Sequence, residues 1–173
     1  MKPYDYQINP KLDLKLERIV PVSRALVWRA WTEPEHLMKW FCPKPWMTTE
    51  CDMDLRPGGK FYTAMRGPNG EYHANTGCFL EVWPMERLTF TSALETGFRP
   101  LPRTLGATGD CTDLSFTAFV DFADAPGGGT KYTAVAAHND EAGRKAHDEM
   151  GFEHGWGAAL DQLVAAIQSG DIS

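Results

Sequence analysis

From Met47 to His138 the chain alternates strand-forming runs with tight turns, and only one long amphipathic stretch follows to cover whatever those strands build. Lys60–Arg66 and Tyr72–Trp83 flank Gly67-Pro68-Asn69-Gly70 and read as a hairpin. Pro84 ends the second run, and Arg87–Ser92 starts the next strand. Leu114–Phe122 and Lys131–His138 form a last pair around Pro126-Gly127-Gly128-Gly129. Upstream, Leu12, Leu14 and Leu16 alternate with Asp13, Lys15 and Glu17, the period of a half-buried strand. Ser23 caps a short helix carrying Leu26, Val27, Ala30 and Trp31 at helical spacing. Pro34 opens a second, in which Leu37, Trp40 and Phe41 share a face. Consecutive hairpins imply an antiparallel sheet with one long helix for its cover, an α+β fold with the helix segregated to one side.

The predicted long helix runs from about Asp140 to about Gln168, opened by His138-Asn139-Asp140-Glu141. Trp156, Leu160, Leu163 and Ile167 mark its buried stripe. Polar groups, glycines and aromatics gather near its start, aliphatics near its end. Such a helix closes a core at one end and borders a cavity at the other. Gly151 and Gly155 each weaken a helix by about 1 kcal/mol relative to alanine, which close backbone approach to a strand or ligand, or helix flexibility near a pocket mouth, would explain.

The 173 residues suit a single domain, residues 1–173, with a core over about 12–168. A net charge of -6, and aromatics not interleaved with basic residues, argue against nucleic-acid binding. No apolar run is long enough to span a bilayer, and the N-terminus carries no apolar signal core, so a cytoplasmic protein is expected. Cys42, Cys51, Cys78 and Cys111 are then thiols, at spacings that match no zinc pattern. His147 and His154 lie about 10.5 Å apart along a continuous helix, too far to share a metal. No metal or other cofactor is expected.

The chain resembles the domain family named after the activator of heat-shock-protein-90 ATPase, within the START/SRPBCC helix-grip superfamily. The resemblance runs through Arg18, Ala30-Trp31-Thr32, Pro34, Leu37, Trp40-Phe41 and Pro43. It continues through Pro57-Gly58-Gly59, Phe61, Gly77, Phe79, Glu81-Val82, Pro84 and Glu86-Arg87-Leu88, and ends in Gly151-Phe152 and Gly155-Trp156. It implies a helix-grip fold, a curved antiparallel sheet of about six or seven strands around the C-terminal helix, with two short helices after the first strand. It also implies an apolar cavity between sheet and helix. The eukaryotic co-chaperone carries a separate N-terminal domain for which these 173 residues leave no room, which argues against a full chaperone-activating role.

Candidate lining residues are Phe61, Met65, Phe79, Phe90, Phe119 and Tyr132 on strands, Met150, Phe152 and Trp156 on the helix, and Trp40, Phe41 and Trp46 at the mouth. His138, at the end of the last strand, is a candidate to orient a ligand. The first expectation is non-enzymatic binding of a small hydrophobic or aromatic molecule. The second is a cyclase, dehydratase or hydrolase using His138, Glu81 or Tyr132 for proton transfer. The third is a chaperone-interacting module. Glu81, if it faces inward, needs a partner such as Arg18 or Arg87. The segment Leu94–Asp113, rich in Gly, Pro and Thr, is expected to be a pocket lid or a homodimer contact, because Leu94, Phe98, Leu101 and Leu105 need cover.

Overall fold

The computed structural model describes residues 1–102 and 114–173. The elements run β1 (Asp13–Val20), α1 (Arg24–Thr32), α2 (Pro34–Leu37), β2 (Met47–Met53), β3 (Lys60–Arg66), β4 (Tyr72–Trp83) and β5 (Arg87–Thr91). There follow β6 (Leu94–Glu95), β7 (Arg99–Pro100), β8 (Thr117–Asp124), β9 (Thr130–Ala137), α3 (Glu141–Glu149) and α4 (Phe152–Gln168). Seven strands form one curved antiparallel sheet in the order β1-β9-β8-β5-β4-β3-β2. The fold is α+β, as expected. Ser23 caps α1 by accepting from the Leu26 N–H, and Pro34 opens α2. Among the described residues no helix is long and apolar enough to cross a membrane.

The inner sheet face follows from register. Leu16 pairs with Ala134, Leu88 with Val120, Phe79 with Phe90 and Phe61 with Gly77, and all lie on the side of the helices. The rings of Phe61 and Phe90 stand 4.8 Å apart, Phe61 and Phe79 5.0 Å, and Phe41 and Phe61 5.8 Å. Trp31 of α1 joins them, 5.0 Å from Trp40 and 5.9 Å from Phe90. α4 lies along β1 and against α1, with Leu160 and Leu163 fully buried. Its Gln162 carboxamide donates to the carbonyls of Trp40 and Cys42 and accepts from the Lys44 N–H, tying the loop after α2 to the helix.

Three expectations change. The single C-terminal helix is two, broken at Met150-Gly151, because Gly151 takes the left-handed conformation (φ +91°) that ends helices. Close approach does not explain Gly151 or Gly155, since a Cβ on either would meet open space. Within α4 the glycine that admits a neighbour is Gly157, where a Cβ would fall 2.6 Å from Nη2 of Arg18. Part of the Leu94–Asp113 segment is also ordered. β6 and β7 form a small hairpin seated on the β2–β3 turn, where Gly97 N–H donates to the Gly58 carbonyl at 2.8 Å and the Phe98 ring covers Gly58. Leu105, Cys111 and the rest of the stretch 103–113 lie outside the described residues, and so does most of the expected lid or subunit contact.

Replacing Leu163 by alanine empties a fully buried site and should lower stability by about 2–5 kcal/mol in urea titrations. Gly151→Ala should lower it by about 1–2 kcal/mol, the strain of a left-handed alanine. Gly155→Ala, helical and unobstructed, should raise it by up to about 1 kcal/mol. Equal responses at the two glycines would contradict the placement of the helix break.

Candidate ligand-binding site

β9 ends at Ala137, and the next residue turns its ring inward. The backbone N–H of His138 donates to the Leu12 carbonyl at 3.0 Å, and its ring Nδ1 lies 2.8 Å from the same oxygen. Asp140 caps α3 by accepting from the Gly143 N–H at 2.7 Å, which fixes the start of that helix. Two turns later His147 brings its Nδ1 to 2.9 Å from Nε2 of His138. Each imidazole is only 6% exposed.

Aromatic rings wall this pair. Phe116, just before β8, stands 5.1 Å from His147 and 5.8 Å from Trp156. Phe152 and Trp156, in the first turns of α4, stand 5.2 Å and 5.9 Å from His147. The break at Gly151 makes this possible, because the last turn of α3 and the first turns of α4 then flank one spot. Burial among these rings pushes the His147 pKa down to about 4; the neighbouring His138 adds to the effect and Asp148 opposes it.

A second patch lies at the same end of the sheet. β5 stops at Thr91, which pairs with Cys78 on one side and Thr117 on the other. Tyr72–Gly77 of β4 therefore projects past β5 with β3 as its partner. On this arm Thr63 pairs with Asn75 and Met65 with His73, on the same face as Phe61. Trp46 leans on His73 at 5.4 Å. Trp46, Met65 and His73 are half-buried and Asn75 is exposed.

The predicted site residues thus separate. His138, Phe152 and Trp156 come together. Trp46 and Met65 face inward on the projecting arm. Trp40, Phe41, Phe61, Phe79 and Phe90 pack on one another in the core. Trp156 is half-buried, so the buried side of α4 runs through Phe152, Gly157, Leu160, Leu163 and Ile167 without it, and Met150 is exposed at the helix break.

Phe119 corrects the expectation outright: it lies on the outer face, opposite Thr89 and Val135, under the ring of Tyr6 at 4.1 Å. Glu81 is outside as well, accepting from the Tyr4 N–H, Thr89 and Trp83 beside Arg87. Burial pushes its carboxyl up, but those hydrogen bonds outweigh it and hold the group below the usual carboxylate range. Tyr132 faces inward, fully enclosed, and burial pushes its hydroxyl up, which leaves it protonated and without a base's role.

His147 and Phe116 went unread in the sequence as partners of His138. Among the described residues no group of three or more His, Cys, Asp or Glu side chains is placed to hold a metal, and His154 is exposed.

The family model described as "Activator of Hsp90 ATPase homolog 1-like protein" matches residues 21–168. The chain belongs to that family. Among solved structures, a protein of Nitrosomonas europaea is 44% identical with a TM-score of 0.84, covering 95% of this chain and 99% of its own. An AHSA1-like protein of Aeromonas hydrophila is 22% identical with a TM-score of 0.65, covering 94% and 96%. An AHSA1 protein of Silicibacter pomeroyi is 20% identical with a TM-score of 0.63, covering 91% and 99%. The last two show the fold alone. No curated protein matches. In this Hsp90-activator-like chain the match ends with α4, so both imidazoles and their aromatic wall lie within the family domain.

The pair carries a pH signature. The His147 pKa in the folded chain, about 4, lies below its ordinary 6.5, so the unfolded chain binds the proton first. Its contribution to stability is complete above about pH 6.5 and is lost as pH falls from there toward 4. Urea midpoints measured between pH 7 and 5 should therefore fall in the parent protein and fall less in His147→Phe. Parallel pH profiles would show that His147 is not held neutral.

Proposed function

We propose that the protein binds a small hydrophobic or aromatic molecule at the end of the sheet where β8, β9, α3 and α4 meet, without a cofactor and without chemistry of its own. The observation that carries this reading is the enclosed imidazole pair set in a wall of Phe116, Phe152 and Trp156. One polar anchor inside an apolar lining is the usual make-up of a small-molecule site. The projecting inner face with Trp46, Met65 and His73 adds apolar surface that the core does not use.

Burying about 300 Å² of ligand would contribute about 7 kcal/mol gross at about 25 cal/mol per Å². Association offsets several kcal/mol of that, which leaves affinities near micromolar. A proton-transfer enzyme is the weaker reading, because Glu81 is ion-paired outside and Tyr132 is locked in its protonated form.

An anilinonaphthalene dye should bind the native protein stoichiometrically, with a rise in fluorescence. Phe116→Trp, which enlarges a half-buried ring of the wall, should weaken dye binding several-fold while the melting temperature holds. If no dye, fatty acid or aromatic compound binds the folded protein, the ligand reading fails. Stimulation of a chaperone ATPase by that same protein would then favour the interaction-module reading.

A further inference from the structure

The hydrogen-bond chain through the histidines fixes which nitrogen is left over. The Leu12 carbonyl can only accept, so His138 Nδ1, 2.8 Å away, carries a proton. In a neutral imidazole the other nitrogen then bears a lone pair. His138 Nε2 faces His147 Nδ1 at 2.9 Å, and two lone pairs do not meet at that distance, so His147 Nδ1 is the donor. The chain of tautomers ends at His147 Nε2, an acceptor with no hydrogen-bond partner among the described residues. A charged pair would instead put a proton there, but it would be a cation 6% exposed among Phe116, Phe152 and Trp156, without a carboxylate bonded to either ring.

We infer that His147 Nε2 is the polar anchor of the site, and that it selects neutral aromatic ligands carrying a hydrogen-bond donor, such as phenols, over aromatic carboxylates. This rests on the binding reading above and gives it a ligand class. A phenol O–H fills the lone pair and lays its ring against the half-buried Phe116 and Trp156. An unsubstituted ring leaves the nitrogen unpaired. A carboxylate at neutral pH brings lone pairs against a lone pair and surrenders its own hydration. On the inner face Arg18 would be the natural carboxylate partner, but it already reaches Asp161 at 3.6 Å beside Gly157.

The test displaces the dye at pH 7 with 1-naphthol, naphthalene and 1-naphthoate, three probes of nearly one shape. The parent protein should bind 1-naphthol about tenfold more tightly than naphthalene, the worth of one neutral hydrogen bond. 1-Naphthoate should bind more weakly than either. In His147→Phe the ratio of naphthol to naphthalene affinity should fall to about one. His147→Leu serves the same purpose should the larger ring disturb folding. Nitrogen-15 spectra of the unliganded parent give a readout that needs no ligand. Both Nδ1 atoms should be protonated, and His147 Nε2 bare until 1-naphthol is added. Equal binding of naphthol and naphthalene, a preference for naphthoate, or a protonated His147 Nε2 would each overturn the inference while the binding reading stands. Failure of all three probes to bind would remove the binding reading and this one with it.

Discussion

The layer of rings from Trp31, Trp40, Phe41, Phe61, Phe79 and Phe90 is what the rest of the structure depends on. It ties α1 and the loop after α2 to β3, β4 and β5. Edge-to-face and offset pairs of this kind each contribute about 0.5–1.5 kcal/mol beyond the area they bury. The layer fills the middle of the inner sheet face, while α4 lies along β1 at one side. What remains for a ligand is the end of the sheet where β5 has stopped and β8 and β9 begin and finish. The proposed site lies in what the core leaves over.

Much of this was legible from residue pattern. The turns at Gly67–Gly70 and Pro126–Gly129 and the cap at Ser23 placed the elements to within a few residues. Inward and outward assignment was less legible. Phe116, Ala118, Val120 and Phe122 point inward, yet Phe119 is apolar too and is nearly as buried, because Tyr6 covers it from outside. A strand apolar on both faces gives no alternation to read. The arm that crosses β8 comes from the first residues of the chain, more than a hundred positions away, and no local pattern announces it.

The histidine pair was hidden for a different reason. On one continuous helix His147 and His154 share a face, and His147 has no special relation to His138. A left-handed Gly151 ends that helix, and the angle it introduces separates the two, sending His147 against the last strand and leaving His154 exposed. Glycine in a helical pattern signals either a weak position or a stop, and the pattern alone does not choose. At Gly151 the chain takes the stop, since glycine is the residue that adopts the left-handed turn without strain.

The distribution of charge gives these choices a common cause. Glu81, Arg87 and Asp121 form their network on the outer face, where the carboxylates keep partial access to water and a guanidinium between them. On the inner face burial keeps the Tyr132 hydroxyl protonated and holds His147 uncharged. Arg18 is the instructive exception, since its place in β1 points it inward under α4. It escapes burial by running beneath Gly157, where any Cβ would obstruct it, and surfaces beside Asp161, one turn further along the same side of the helix. The backbone thus gives way at Gly157 so that a cation can leave the inner layer, and turns at Gly151 so that an uncharged acceptor can stay in it. An inner layer kept free of charge in this way is what the proposed preference for neutral ligands over ions requires.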